Sequence, residues 1–408
     1  MNVLIAIVGL AVLILFHEAG HFFVARAVGM SPRRFYLGFP PALAKVRRNG
    51  IEYGIGAIPL GGYVKIPGMH RPAPADLDVQ FGPALQEQPQ VFPKVARVRR
   101  ALENGDLSGA RDALPALEAA IDEAALSPAA DRAARRGVAE LQDSLSDDAY
   151  WRQRTWKRVA VIFAGPGTNI LLAIALLAAA YMIGVPGDPS AVVKKVEAGK
   201  PAAAIGLQPG DHVVAVNGTP TPNFDSVARA IQDSKGQPVT VRVLRGDSEI
   251  ILGPARPVTT GGRYILGFYP RTVKKEYGLA PALGRSLSDN WKATRATVTF
   301  LPHLFQRAGR KDVSGPVGIV DVSRQAAGID FALFLQIMGL ISLSLALLNL
   351  LPLLPLDGGH ILFSLIEGLR GRAVAREVYE RVSAVGIALF LILMFIGLSN
   401  DIGRLGGG

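Results

Sequence analysis

The 408-residue sequence contains no cysteine, so no disulfide staples it and no thiolate is on offer to a metal or a redox cofactor. Charge is sparse: 19% of residues are Asp, Glu, Lys or Arg, against 50% that are hydrophobic. That balance excludes a disordered chain and a plain soluble domain, and implies an integral membrane protein with soluble parts. Histidine is rarer still, six in the whole chain, so any two at a meaningful spacing are informative. The net charge of +11 would suit a nucleic-acid binder. The basic residues cluster beside apolar runs instead, where they set topology and meet anionic lipid; no nucleic-acid partner is implied.

Four apolar stretches, about 2–28, 158–184, 330–366 and 382–398, are expected as membrane spans. The first lacks the basic n-region and small-residue cleavage site of a signal peptide and is read as a retained span. The loop after it holds Arg26, Arg33, Arg34, Lys45, Arg47 and Arg48, and the connection before the last span holds Arg370, Arg372, Arg376 and Arg381. The positive-inside rule puts both in the cytoplasm, and so places the termini and the long segment 185–329 outside. The expected architecture is a multi-pass α-helical membrane protein with about four transmembrane helices, at 1–30, 156–184, 330–368 and 380–398.

Inside the first span stands Phe16-His17-Glu18-Ala19-Gly20-His21. On a helix, positions four apart share a face, so His17 and His21 can hold one metal while Glu18 stands beside it as a base. Such groups in a bilayer cost several kcal/mol, about 3 each, unless paired, coordinated or wetted, which makes the triplet a functional site rather than two core histidines. A zinc hydrolase needs a third protein ligand, and with no thiolate available it must be His or a carboxylate. The third span supplies one. After a helical run to about Leu348 it reads Asn349-Leu350-Leu351-Pro352-Leu353-Leu354-Pro355-Leu356-Asp357-Gly358-Gly359-His360. Two prolines and two glycines must break the helix, and broken backbone at membrane depth needs protein or water to satisfy it. Asp357 is the natural third ligand to one Zn2+ per chain, with His360 a lower-ranked rival. Zinc would lower the pKa of a water, and Glu18 would take its proton. Asn349 is placed to hydrogen-bond the substrate backbone or to stabilise a developing oxyanion.

The soluble parts differ in texture. Residues 31–70 hold short aromatic and β-branched runs around Asn49-Gly50, the signal of a β-hairpin, expected as a small membrane-associated sheet beside the active-site helix. Residues 71–150 carry 14 acidic against nine basic residues at helical spacing, a net of −5. They predict a cytoplasmic insert of two or three short antiparallel helices, with Ser127-Pro128 opening one of them, and leave room for an unknown cytoplasmic partner. In the second span, Asn169 of Ala164-Gly165-Pro166-Gly167-Thr168-Asn169 is either helix glue or support for the site. Residues 187–270, with their Gly-Leu-Gln-Pro-Gly-Asp turn and a helix expected from Asn223, resemble an α/β PDZ domain, here extracytoplasmic. An extracytoplasmic amphipathic segment, 271–329, follows.

HEAGH in the first span, AGPxxN in the second, the PDZ-like insert, Ser314-Gly315-Pro316-Val317-Gly318 and the Leu-Asp-Gly-Gly-His of the third together resemble the site-2 protease family. Within it the sequence most resembles the branch of the bacterial regulator of sigma-E proteases. The resemblance covers nearly everything but 71–150. It implies a zinc endopeptidase of the bacterial inner membrane that cuts single-span membrane proteins, such as anti-sigma factors, within the lipid bilayer during regulated intramembrane proteolysis. It also implies His17, His21 and Asp357 as metal ligands, Glu18 as the base, Asn349 as a substrate-positioning residue, and Gly61, Gly62, Tyr63, Val64 and Lys65 as a strand that engages the substrate. Leu354 departs from the family's usual proline, and the acidic insert is unusual. A scaffold with the same ligands would not need Glu18 between them, and a metal transporter would show further polar groups along a path, which spans two and four lack.

Overall fold

The computed structural model describes residues 2–260, 262–300 and 314–406. Helix α1, Asn2–Ala27, is apolar apart from Asn2, His17, Glu18, His21 and Arg26 and is long enough, at about 1.5 Å per residue, to cross a bilayer. It stops at Gly29, whose φ of +88° lets Met30 N–H turn back to Ala25 O at 2.9 Å.

Two 15-residue strands follow, β1 (Arg34–Arg48) and β2 (Ile51–Lys65), joined at Asn49-Gly50, both in the left-handed region as a tight hairpin turn requires. They make more than a hairpin. Residues 34–37 of β1 pair on one side with 52–55 and on the other with 62–65, while 44–48 pair back onto 51–55. Both strands therefore bend, β1 beside Pro40-Pro41, and the result is four short runs in which 34–37 and 62–65, like 44–48 and 51–55, pair antiparallel, with Gly62–Lys65 at one edge. The sheet is fixed to α1 through Phe22, whose ring meets Phe35 at 5.3 Å and Tyr53 at 6.0 Å.

The insert is a bundle of four helices rather than two or three: α2 (Pro74–Glu87), α3 (Phe92–Glu103), α4 (Leu107–Glu123) and α5 (Pro128–Leu145). Pro89 and Pro93 separate α2 from α3. Asp106 and Ser127 cap α4 and α5. The bundle has its own core, centred on Leu77, Phe81, Val98, Leu117, Ile121 and Leu145. Helix α6 (Thr155–Ile183) is the second candidate span.

Residues 178–285 form a separate compact unit. Its elements are β3 (Val185–Val196), α7 (Pro201–Ala204), β4 (His212–Val216), β5 (Thr219–Pro220), α8 (Phe224–Asp233), β6 (Val239–Arg245), β7 (Ser248–Ala255), β8 (Val258–Thr260), β9 (Arg263–Ile265) and β10 (Phe268–Lys275). The main sheet runs β10-β3-β4-β6-β7 with β5 on β4, and α8, capped by Asn223, packs its Val227 and Ile231 into the core. Asp211, almost fully buried, accepts both prongs of the Arg245 guanidinium at 2.7 and 2.8 Å and the Gln208 amide at 2.8 Å.

After β10 come α9 (Leu279–Phe300), α10 (Pro316–Ile329), α11 (Phe331–Asn349), α12 (Asp357–Arg370) and α13 (Arg376–Gly406). Part of the expected amphipathic segment, residues 301–313, lies outside the described residues. Helix α9 turns polar Ser286 and Asn290 inward, Ser286 Oγ donating to Ile174 O at 2.7 Å, while Leu287 and Trp291 face outward. The Ser-Gly-Pro-Val-Gly motif opens α10, where buried Asp401 of α13 accepts the Gly315 and Gly318 amides at 3.1 and 2.8 Å. The stretch expected as one broken third span is two helices: α11 alone has the length and hydropathy to cross, and α12 is separate. Helices α1, α6, α11 and α13 are the four candidate spans among the described residues, and mark an integral membrane protein.

Candidate metal centre

One helical turn of α1 and the first residue of α12 converge. Nε2 of His17 lies 3.3 Å from Nε2 of His21, and Asp357 Oδ2 lies 3.3 and 3.4 Å from the two. Among the described residues this is the one cluster of three such side chains able to hold an ion. Asp357 Oδ2 is buried and accepts no hydrogen bond from the protein. Three electron-rich atoms packed together, one of them orphaned, call for a cation between them. Tetrahedral zinc with bonds of about 2.0–2.1 Å requires ligand atoms about 3.3–3.4 Å apart, 1.63 times the bond length. The triangle present has that edge, and two imidazoles with one carboxylate are a donor set that suits zinc.

Each candidate ligand is held from behind. His21 Nδ1 donates to Val161 O of α6 at 2.8 Å, which leaves its Nε2 lone pair free for a metal. Asn169, also on α6 and fully buried, sets its amide 3.3 Å from His17 Nδ1. A His17 that gives its Nε2 lone pair carries its proton on Nδ1, so the amide oxygen, which has no other partner, belongs opposite that proton. Glycines let these helices meet: a Cβ at Gly165 would overlap the His21 ring, and one at Gly20 would strike Ala164 O of α6. Asp357 is placed in the same way, since Cβ atoms at Gly358 and Gly359 would run into the backbone of residues 350–354. Buried Leu354 stands in that loop.

Glu18 is 8% exposed and packs against the sheet, where a Cβ at Gly62 would stand 2.7 Å from its Cγ. His17, Glu18, His21 and Asp357 open on a cavity of about 770 Å3 that also holds Gly62, Tyr63, Val64, Lys65 and Asn349. Gly61 is not on that wall; its Cβ position faces the Phe39 ring. Tyr63 stacks on Tyr36 at 5.1 Å, and Tyr36 OH donates to Glu52 at 2.7 Å. His360 lines the cavity but stands outside the ligand cluster, with its Nδ1 against Tyr379 OH. Sequence reasoning missed Val161, a backbone carbonyl that carries no residue signal, and the insert residues Gln80, Glu140 and Ser144 that line the same cavity.

Comparison with known proteins agrees with this geometry. The model of peptidase family M50 matches residues 5–393. The regulator of sigma-W protease RasP of Bacillus subtilis is 27% identical over 424 residues, covering 99% of both chains. The zinc metalloprotease RasP of Bacillus licheniformis is 27% identical over 99% of this chain and 100% of its own. The zinc metalloprotease Rip1 of Mycobacterium tuberculosis is 28% identical over 95% of this chain and 91% of its own. With the family matched over nearly its whole length and a zinc-fitting cluster on its HExxH helix, the chain belongs to peptidase family M50 and is a zinc metalloprotease of the site-2 protease type.

Proposed function

We propose that this protein is an intramembrane endopeptidase that hydrolyses peptide bonds within the spans of single-pass membrane proteins, such as anti-sigma factors, in regulated intramembrane proteolysis. The observation that carries the reading is the position of the ligand cluster and Glu18 on α1, an apolar helix able to cross the bilayer, beside an edge strand. His17, His21 and Asp357 would hold the zinc, which when bound supplies the Lewis acidity that activates water and polarises a carbonyl. Glu18 takes the proton of the attacking water and hands it to the leaving amide nitrogen. Its burial against Gly62 holds the carboxylate in place for both transfers.

A peptide bond inside a substrate helix is shielded by its own ladder, so the helix must open before it can be cut. Gly62–Lys65 offers the replacement: β1 pairs one side of this run, and an extended substrate segment adds to the other, with its backbone bonds satisfied away from water. Asn349 then contacts the substrate backbone or the developing oxyanion. Asn169 supports His17.

The unit 178–285, with its capped helix packed on a sheet, is proposed to be a PDZ-type domain outside the membrane that turns away substrates whose bulky outer part is still attached. The basic loops flanking α1, α6 and α13 support that orientation in a bacterial cell membrane. The test is cleavage of a panel of single-span reporters by purified protein, with and without chelator and with Glu18→Gln. Zinc-loaded Glu18→Gln is expected to lose turnover by orders of magnitude. Cleavage at the wild-type rate by that variant would remove Glu18 from the mechanism.

A further inference from the structure

The helical insert is not a free appendage. Asp143 of α5 binds Nζ of Lys65, at the end of the edge strand, at 2.7 Å and Nε of Arg33, just before β1, at 2.8 Å. Asp148 accepts Ser31 N–H at 3.1 Å, and Tyr150 N–H and Trp151 N–H donate to Pro67 O and Gly68 O at 2.9 and 3.1 Å. These ties fix α2 and α5 across the cavity from the edge strand. Gln80 of α2 and Glu140 and Ser144 of α5 face the same 770 Å3 as the ligand cluster. A substrate strand laid along Gly62–Lys65 passes between two walls, and the second wall is the insert.

On that wall Glu140 is a carboxylate with no cation beside it among the described residues. Asp143 is neutralised by Lys65 and Arg33, and Asp76 accepts the Ala73 amide at 2.9 Å. Glu140 accepts only the neutral Gln80 amide, at 2.7 Å, and joins no ion pair among the described residues. The nearby cations are engaged elsewhere, Lys65 on Asp143 and Arg71 over the Trp151 ring at 5.5 Å.

We propose that the insert is the specificity wall of the substrate groove, and that Glu140 selects a lysine or arginine in the cytoplasmic flank of the substrate span. Such residues are what the positive-inside rule places there. The inference rests on the endopeptidase reading above, and its test separates the two. Three single-span reporters share one span and differ in a flank of lysines, glutamines or glutamates. Wild-type full-length protein in detergent should cut the lysine reporter with a kcat/KM about two- to fivefold above the glutamate one, a preference that shrinks in high salt. Glu140→Gln should flatten the ratio and Glu140→Lys reverse it, with zinc content measured on each to confirm an intact site. A wild type that cuts all three with a ratio unchanged in Glu140→Lys overturns this inference alone. A zinc-loaded wild type that cuts none overturns the endopeptidase reading and this inference with it.

Discussion

Gly62→Ala should cripple turnover without removing the metal. The added Cβ would stand 2.7 Å from Glu18 Cγ and 2.7 Å from Tyr36 O, a backbone atom that cannot swing aside. Ordinary carbon contacts need about 3.5 Å or more, so Glu18 or the strand must give by about 0.8 Å. A displacement of about 1 Å at a reacting group costs about 100-fold in rate, which puts the expected fall in kcat at about 30- to 100-fold. Overpacking costs about 1–3 kcal/mol of stability, partly offset by the entropy that alanine saves over glycine. None of the three atoms nearest the new methyl belongs to His17, His21 or Asp357, so zinc should stay stoichiometric. Gly82→Ala is the control, because a Cβ there meets nothing within 4 Å. The assay is single-turnover cleavage of a single-span reporter by detergent-purified protein, with zinc measured on the same sample. A Gly62→Ala protein with wild-type kcat would refute the claim that the edge strand holds the base.

Gly165→Ala, whose Cβ would overlap the His21 ring, should instead lower zinc affinity, read by competition with a chelator; unchanged affinity would show that α6 does not set the His21 position. In the unit 178–285, Asp211→Asn should destabilise the fold, because a neutral amide replaces the carboxylate that accepts both prongs of Arg245, read as lost hydrogen-exchange protection of β4 and β6. Burial alone would raise the Asp211 carboxyl, but Arg245 and the Gln208 amide outweigh it and hold it below the usual aspartate range. Its share of stability is therefore whole above the ordinary aspartate pKa, about 4, and is lost as pH falls through the lower folded value; the variant's stability should be flatter there. Replacing residues 187–270 by a short linker should let long-ectodomain reporters be cut; a folded, zinc-loaded variant that still refuses them would end the filter idea.

The spans were legible because a bilayer imposes a length and a composition, and HExxH because helical periodicity puts two imidazoles on one face. The break after Asn349 was legible from its prolines, but not its outcome: two helices with Gly358 and Gly359 wedged beneath the loop, a close approach that glycine permits and no pattern announces. Residues 31–70 showed their turn at Asn49-Gly50, whereas the second pairing of 34–37 with 62–65 follows from bends within each strand, a non-local matter. The insert's helices could be read, yet its place on the cavity wall depends on Asp143 meeting Arg33 and Lys65 across more than 70 positions. Side-chain type gave that pairing no signal.

Asp357, not His360, is proposed to complete the metal centre with His17 and His21. Zinc content and chelator competition of Asp357→Asn and His360→Ala, beside the wild type, test it directly. The geometry predicts that Asp357→Asn loses zinc affinity by at least about tenfold while His360→Ala keeps one zinc per chain. Stoichiometric, tightly held zinc in Asp357→Asn together with loss in His360→Ala would contradict it.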